Sequence, residues 1–151
     1  MKSNSVIGAD DLIRDLQKLG NEMPQVEMEM LKAGGQEMAD AWKREIESRG
    51  FVDSGAMLRG VRYQIKRMKS KKGALKCEIT SHGVMERKGR KGKTSKVTNA
   101  AKAFYLHYGT SRGIPPSHWI DAAEADGYPK ASAAMRAVLD QALNSTIGSK
   151  K

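Results

Sequence analysis

The chain has 151 residues, one cysteine and a formal net charge of +10, with 39% apolar and 5% aromatic residues. That length suits a single domain, able to bury roughly two thirds of its unfolded surface in one core without staples. The lone Cys77 excludes an intrachain disulfide and fits a reducing compartment. Met1-Lys2-Ser3-Asn4-Ser5 and the residues after it hold no apolar run of signal-peptide length, and no stretch approaches the roughly 20 apolar residues that span a bilayer. The expectation is therefore one domain over 1–151, made in a cytoplasm and without a membrane partner.

The N-terminal third reads as two helices. Asp10 and Asp11 suit a helix start, Leu12, Ile13, Leu16 and Leu19 recur at helical spacing, and Gly20 closes the segment. Pro24 then opens a longer helix, in which Val26, Met30, Met38, Trp42 and Ile46 form one apolar stripe. Gly34-Gly35 interrupts it at a cost of about 1 kcal/mol per glycine, which the close approach of another backbone would justify; a kink is the alternative. Gly50 ends the helix.

After Phe51 the period changes. Val61, Tyr63 and Ile65 alternate with Arg62, Gln64 and Lys66, and Leu75, Cys77 and Ile79 alternate with Lys76, Glu78 and Thr80. Two half-buried strands joined through Lys69–Gly73 make an antiparallel hairpin with a cationic polar face. Residues 83–99 have little apolar content and read as a long, basic, mobile loop, or one that orders on a partner. Ala103–Tyr108 suits a short helix or a strand. Pro115-Pro116 marks an extended segment, Trp119–Ala123 a short helix, and Pro129 the start of a last helix. That helix carries the stripe Ala131, Met135, Val138, Leu139, Ala142 and Leu143. The fold class expected is α+β, with N-terminal helices and a C-terminal helix packed on a small antiparallel sheet that contains the hairpin. Its core should include Met38, Trp42, Val61, Tyr63, Ile65, Leu75, Cys77, Ile79, Val138, Leu139 and Leu143.

Charge is unevenly spread. From Arg62 to Lys96 there are 13 Lys/Arg and two acids, a net of +11, and the other residues sum to −1. Such a stretch can hold nucleic acid, an acidic protein surface or an anionic membrane, or can be a solvated face. Arg87, Lys88, Arg90, Lys91 and Lys93 are its candidate contact residues. No aromatic residue is interleaved with them, which disfavours stacking on single-stranded bases and leaves phosphate contact open.

Catalytic chemistry finds little support. His82, His107 and His118 show none of the familiar metal spacings and are expected to lie apart, with no metal or cofactor site. Cys77 alternates with core residues and reads as a small apolar side chain. Gly92-Lys93-Thr94 is no phosphate loop, because Arg87 stands where the first glycine is needed.

One ordered constellation is more specific. Asp53-Ser54-Gly55-Ala56-Met57-Leu58 follows a long helix and leads into a strand. Tyr105-Leu106-His107-Tyr108-Gly109-Thr110 comes later, followed by Pro115-Pro116-Ser117-His118-Trp119-Ile120. This order resembles the small head–tail joining and tail-completion proteins of the neck of long-tailed bacteriophages. Ser54, Gly55 and Leu58 match that family's Thr/Ser-Gly-x-Leu motif, with Met57 as an extra apolar residue. Tyr108, Gly109 and Thr110 match its aromatic-Gly-Thr motif, and Pro116, Trp119 and Ile120 its Pro-aromatic-hydrophobic segment. Two departures are His107, where the family has an acid, and Ser117-His118, inserted between proline and aromatic. The resemblance implies a structural virion protein and not an enzyme. It would assemble in the bacterial host cytoplasm into an oligomeric ring, most simply a hexamer. Its partners would be adjacent neck, connector, tail-terminator or tail-tube proteins, with DNA passing through the channel without sequence-specific contact. Independently of the resemblance, Gly55 and Gly109 are suited to backbone conformations closed to other residues, and Ser54 and Thr110 to bonds with nearby backbone. The alternative reading is a basic nucleic-acid-binding module using residues 62–96.

Overall fold

In the computed structural model, residues 9–69, 73–89 and 92–147 are described. Eight elements follow in order: α1 (Ala9–Ser48), α2 (Ala56–Gly60), β1 (Val61–Arg67), β2 (Leu75–Ser81), β3 (Val84–Lys88), β4 (Thr94–Thr98), α3 (Asn99–Tyr108) and α4 (Trp119–Ile147). The fold is α+β, as the periodicities indicate. No helix of the described residues is long and apolar enough to cross a membrane.

Two helix boundaries differ from expectation. Residues 9–48 form one helix that runs through Gly20 and Pro24, and residues 119–147 form one helix that runs through Pro129. An internal proline removes one backbone hydrogen bond, freeing the carbonyl four residues earlier. Here those carbonyls belong to Gly20 and Ala125, both exposed, so water can satisfy them. Around Pro129 the buried Gly127 and Ala131 outweigh the local penalty, whereas in α1 burial begins only at Val26, just beyond Pro24.

The two long helices run antiparallel. Glu22 meets Thr146, Gly34 meets Met135, Met38 and Ala41 meet Gly127, and Trp42 meets Trp119. Three glycines set the spacing. A Cβ on Gly127 would come within 2.7 Å of Met38 Sδ and 2.9 Å of Ala41 Cβ, and one on Gly34 within 2.8 Å of Met135 Sδ. Gly35 faces the other way, where a Cβ would lie 2.7 Å from Cys77 Sγ and 2.9 Å from Tyr63 Cγ. The glycine pair therefore admits α4 on one side of α1 and the first hairpin on the other. Its nearest neighbours are side chains, with the Ala131 backbone carbonyl 3.7 Å from a Cβ on Gly34.

That hairpin pairs antiparallel, with Tyr63 opposite Ile79 and Ile65 opposite Cys77. Arg62 and Lys66 are exposed on its outer face, so the inward register is the expected one. Its apolar residues are covered less than expected. Met38, Trp42 and Val61 are buried, but Tyr63, Ile65, Leu75, Cys77, Ile79, Val138, Leu139 and Leu143 are half-buried. A two-stranded ribbon on one helix has too little neighbouring surface to enclose its own residues, and Leu139 of α4 lines an open groove beside it. The buried core lies instead at the other end of α1, where Ala39, Trp42, Ile46, Met57, Val61, Ala103, Trp119 and Ala123 cluster.

The described parts of residues 83–99 form mainly strands rather than a loop. Val84–Lys88 pairs antiparallel with Thr94–Thr98 in a second, separate two-stranded sheet. Ala103–Tyr108, left open between helix and strand, lies within α3.

The seam yields two substitutions of opposite sign. Gly127→Val should lower stability by about 1–3 kcal/mol through overpacking. Gly20→Ala, with nothing within 4 Å of its Cβ, should raise it by up to about 1 kcal/mol. Urea unfolding followed by circular dichroism reads both, and a Gly127→Val protein as stable as wild type would show that the seam is loose.

Candidate functional site

The residues that carry the sequence motifs meet around one core. Gly55, at φ 68, turns the chain into α2, and the Ala56 N–H donates to Ser54 Oγ at 3.4 Å. Below it Met57 is buried, its carbonyl accepting from Ser81 Oγ at 2.6 Å. Asn99, the first residue of α3, donates through Nδ2 to the carbonyls of Ala56 and His82. Thus α2, the end of β2 and the start of α3 are joined by side-chain bonds to backbone.

Gly109 ends α3 at φ 76, where a Cβ would lie 2.6 Å from the Ile114 carbonyl. Beyond it Thr110 and Ile114 close a turn, the Thr110 N–H donating to Ile114 O and the Ile114 N–H to Thr110 Oγ1. The chain then folds back over α3. The Ser117 N–H donates to the Leu106 and His107 carbonyls, and Arg49 donates to the Ser117 carbonyl at 2.8 Å. Trp119, fully buried, donates from Nε1 to Ala103 O at 3.1 Å and meets Trp42 edge-on at 4.9 Å.

Two of the three histidines come together, contrary to expectation. His107, buried, and His118, exposed, form with Asp121 a trio whose ligating atoms lie within 4.8 Å of one another. His118 is the one described non-glycine residue at positive φ (51). The turn brings them there, folding residues 110–118 back beside α3, a juxtaposition that sequence spacing does not encode. The trio is nonetheless poorly suited to a metal. His107 Nδ1 accepts a hydrogen bond from the Ile120 N–H at 3.1 Å, so the ring proton of neutral His107 sits on Nε2. Nε2 is the atom that faces Asp121, at 3.7 Å. A ligating histidine normally donates through its other nitrogen, and here that nitrogen accepts. The bond that ties His107 to the first turn of α4 is the one its Nδ1 accepts from the Ile120 N–H.

Of the five basic candidates, Lys88 and Lys93 are exposed at the tip of the second hairpin, and Arg87 lies in β3 opposite Ser95. Arg90 and Lys91 lie outside the described residues. The basic stretch is thus divided between two ribbons. On the first, Glu78 accepts from Lys66 and Lys76, both at 2.5 Å, and these bonds draw its carboxyl down to about 2. Cys77, beside it, is pushed up by burial and then by the Glu78 charge, which keeps the thiol protonated.

Three exposed apolar features were not legible as surfaces. Tyr108, a motif residue, is 66% exposed and stacks on Phe104, with Tyr105 exposed beside them on α3. Between α1, α4 and β2 an open groove of about 590 Å³ is lined by Met30, Leu31, Met38, Cys77, Met135 and Leu139. The third is the stripe Leu12, Ile13 and Leu16, each about half exposed near the start of α1. Helical spacing identifies the stripe but not whether anything covers it.

Comparisons with family models, with curated proteins and with solved structures found no match to this chain.

Two measurements test the site. Zinc or cobalt added in excess should leave the melting temperature unchanged; a rise that disappears in Asp121→Asn would overturn the tautomer argument. The second concerns acid. Because the Glu78 pKa is lowered from 4.5 to about 2, its ion pairs stabilise the fold above about pH 4.5 and lose that effect as pH falls toward 2. Glu78→Gln should therefore melt slightly below wild type at neutral pH and converge with it near pH 2. An unchanged gap across that range would remove Glu78 from the acid response.

Proposed function

We propose that this chain is a structural subunit of the neck of a long-tailed bacteriophage, a ring-forming part that joins the head connector to the tail. The observation that carries the reading is the amount of apolar surface left uncovered: the stripe on α1, the methionine-lined groove and the aromatic face of α3. Separate exposed patches of this kind mark surfaces that other chains cover. The motif residues support the same reading, since Gly55, Gly109 and Trp119 hold a core and turn the backbone.

The basic hairpin supplies a charged face to such an assembly. Its partner in this reading is an acidic surface of an adjacent neck or tail ring. A channel that must let DNA slide out should not grip it through many phosphate contacts, each of which adds salt-dependent affinity. Neither strand of the second hairpin carries an aromatic residue on which a base would stack.

The test is joining of purified heads and tails in vitro. Neutralising Arg87, Lys88, Arg90, Lys91 and Lys93 together should leave the circular dichroism spectrum unchanged and reduce joined particles several-fold at physiological salt. Normal joining by that variant would make the hairpin a solvated face. If heads and tails join equally well without the protein, the neck reading itself fails, and steeply salt-dependent retention of DNA on filters would favour the nucleic-acid module instead.

A further inference from the structure

The beginning of α1 leaves apolar side chains exposed. α1 meets α4 as far back as Glu22, which lies against Thr146 near the end of α4. The turns before Glu22 continue as helix and expose Leu12, Ile13 and Leu16, at 50%, 53% and 51%. Leu12, Leu16 and half-buried Leu19 stand at i, i+4 and i+7, the anchor spacing of a helix that lies in an apolar groove.

The same chain carries such a groove. At about 590 Å³ it falls within the range of pockets that enclose a ligand, and Met30, Met38 and Met135 give it adaptable walls. Glu124 and Arg136 both border the groove and Asp15 borders the stripe, so Arg136 offers Asp15 an opposite charge. A chain cannot fill its own groove. Leu16 and Gly34 are 18 residues apart on one unbroken helix, about 27 Å at the usual rise of about 1.5 Å per residue.

We infer that the groove of one copy receives the first turns of α1 from another copy, with Leu12, Leu16 and Leu19 entering between α1 and α4. This rests on the assembly reading above and gives it an interface. Donor and acceptor surfaces differ, so the contact is head-to-tail and passes from copy to copy until rotation closes a ring. It also accounts for the continuity of α1 through Gly20 and Pro24, since a break there would detach the stripe from the body that presents it.

Sedimentation velocity on three full-length proteins tests the inference: wild type, the double variant Leu12→Asp/Leu16→Asp, and Ser132→Trp, which places bulk at the groove mouth. Both variants change exposed residues and should keep the wild-type melting temperature. If Ser132→Trp does not, Arg136→Glu replaces it. Wild type should associate, and each variant alone should associate about 100-fold more weakly, the loss expected when anchor residues are removed. An equimolar mixture of the two variants should form a heterodimer, because one keeps its groove and the other its stripe. A double variant that associates as tightly as wild type, or a mixture that stays monomeric, would overturn this interface and leave assembly through another surface standing. A wild type that remains monomeric both alone and with tail-tube protein would overturn the assembly reading and the interface together.

Discussion

Trp119 sits where every other arrangement in the molecule has to be compatible with it. Its ring is fully buried, one edge against Trp42 of α1 and its N–H on the Ala103 carbonyl of α3. A buried indole loses much if that donor goes unpaired, so the position of α3 relative to α4 is tightly held. As the first residue of α4, it also decides where that helix begins its antiparallel run along α1. The turn at Gly109, the return of residues 110–118 and the meeting of His107 with Asp121 are the route by which the chain reaches that position. Further along, the seam glycines let the two helices stay close after the aromatic pair has set their separation.

Legibility in the sequence followed the range of the interactions. The first hairpin was legible because its two strands alternate in phase and face a single helix, so period two survives intact in Val61–Ile65 and Leu75–Ile79. The second hairpin was not, because neither of its faces is a core face and its residues do not alternate. The β-branched Val84, Thr94, Val97 and Thr98 were its signal, and β-propensity is a weak guide without burial. Pro24 and Pro129 misled for a related reason. A proline rule describes the cost to an isolated helix, whereas both prolines lie on exposed faces, Pro129 between the packed Gly127 and Ala131 and Pro24 two residues before the buried Val26. Within the candidate site, the glycines at turns were legible as backbone requirements. The His107–His118 approach and the methionine groove depend on contacts between segments distant in sequence, and spacing carries no trace of them.

Charge and packing are divided between different parts of the chain. The helices hold the core with a nearly neutral balance, and the two ribbons carry the +11 stretch on strands that bury little. Substitutions in the ribbons can therefore alter electrostatic contacts without disturbing the Trp119 cluster. At physiological ionic strength charges further apart than about 8 Å are largely screened, so each ribbon acts on a partner close to its own surface.

The pairing of α1 with α4 also has a bearing on how the chain is made. Residues 49–118, a run of 70, separate the end of one helix from the start of the other. Closing so long a loop is slow compared with forming a local hairpin. During synthesis, at about 5–20 residues per second, the face of α1 that ends up against α4 stays without its partner for about 4–14 s. Through that interval the nascent helix presents Val26, Met38 and Trp42 to the cell, a window in which aggregation or capture by a chaperone competes with the arrival of Trp119.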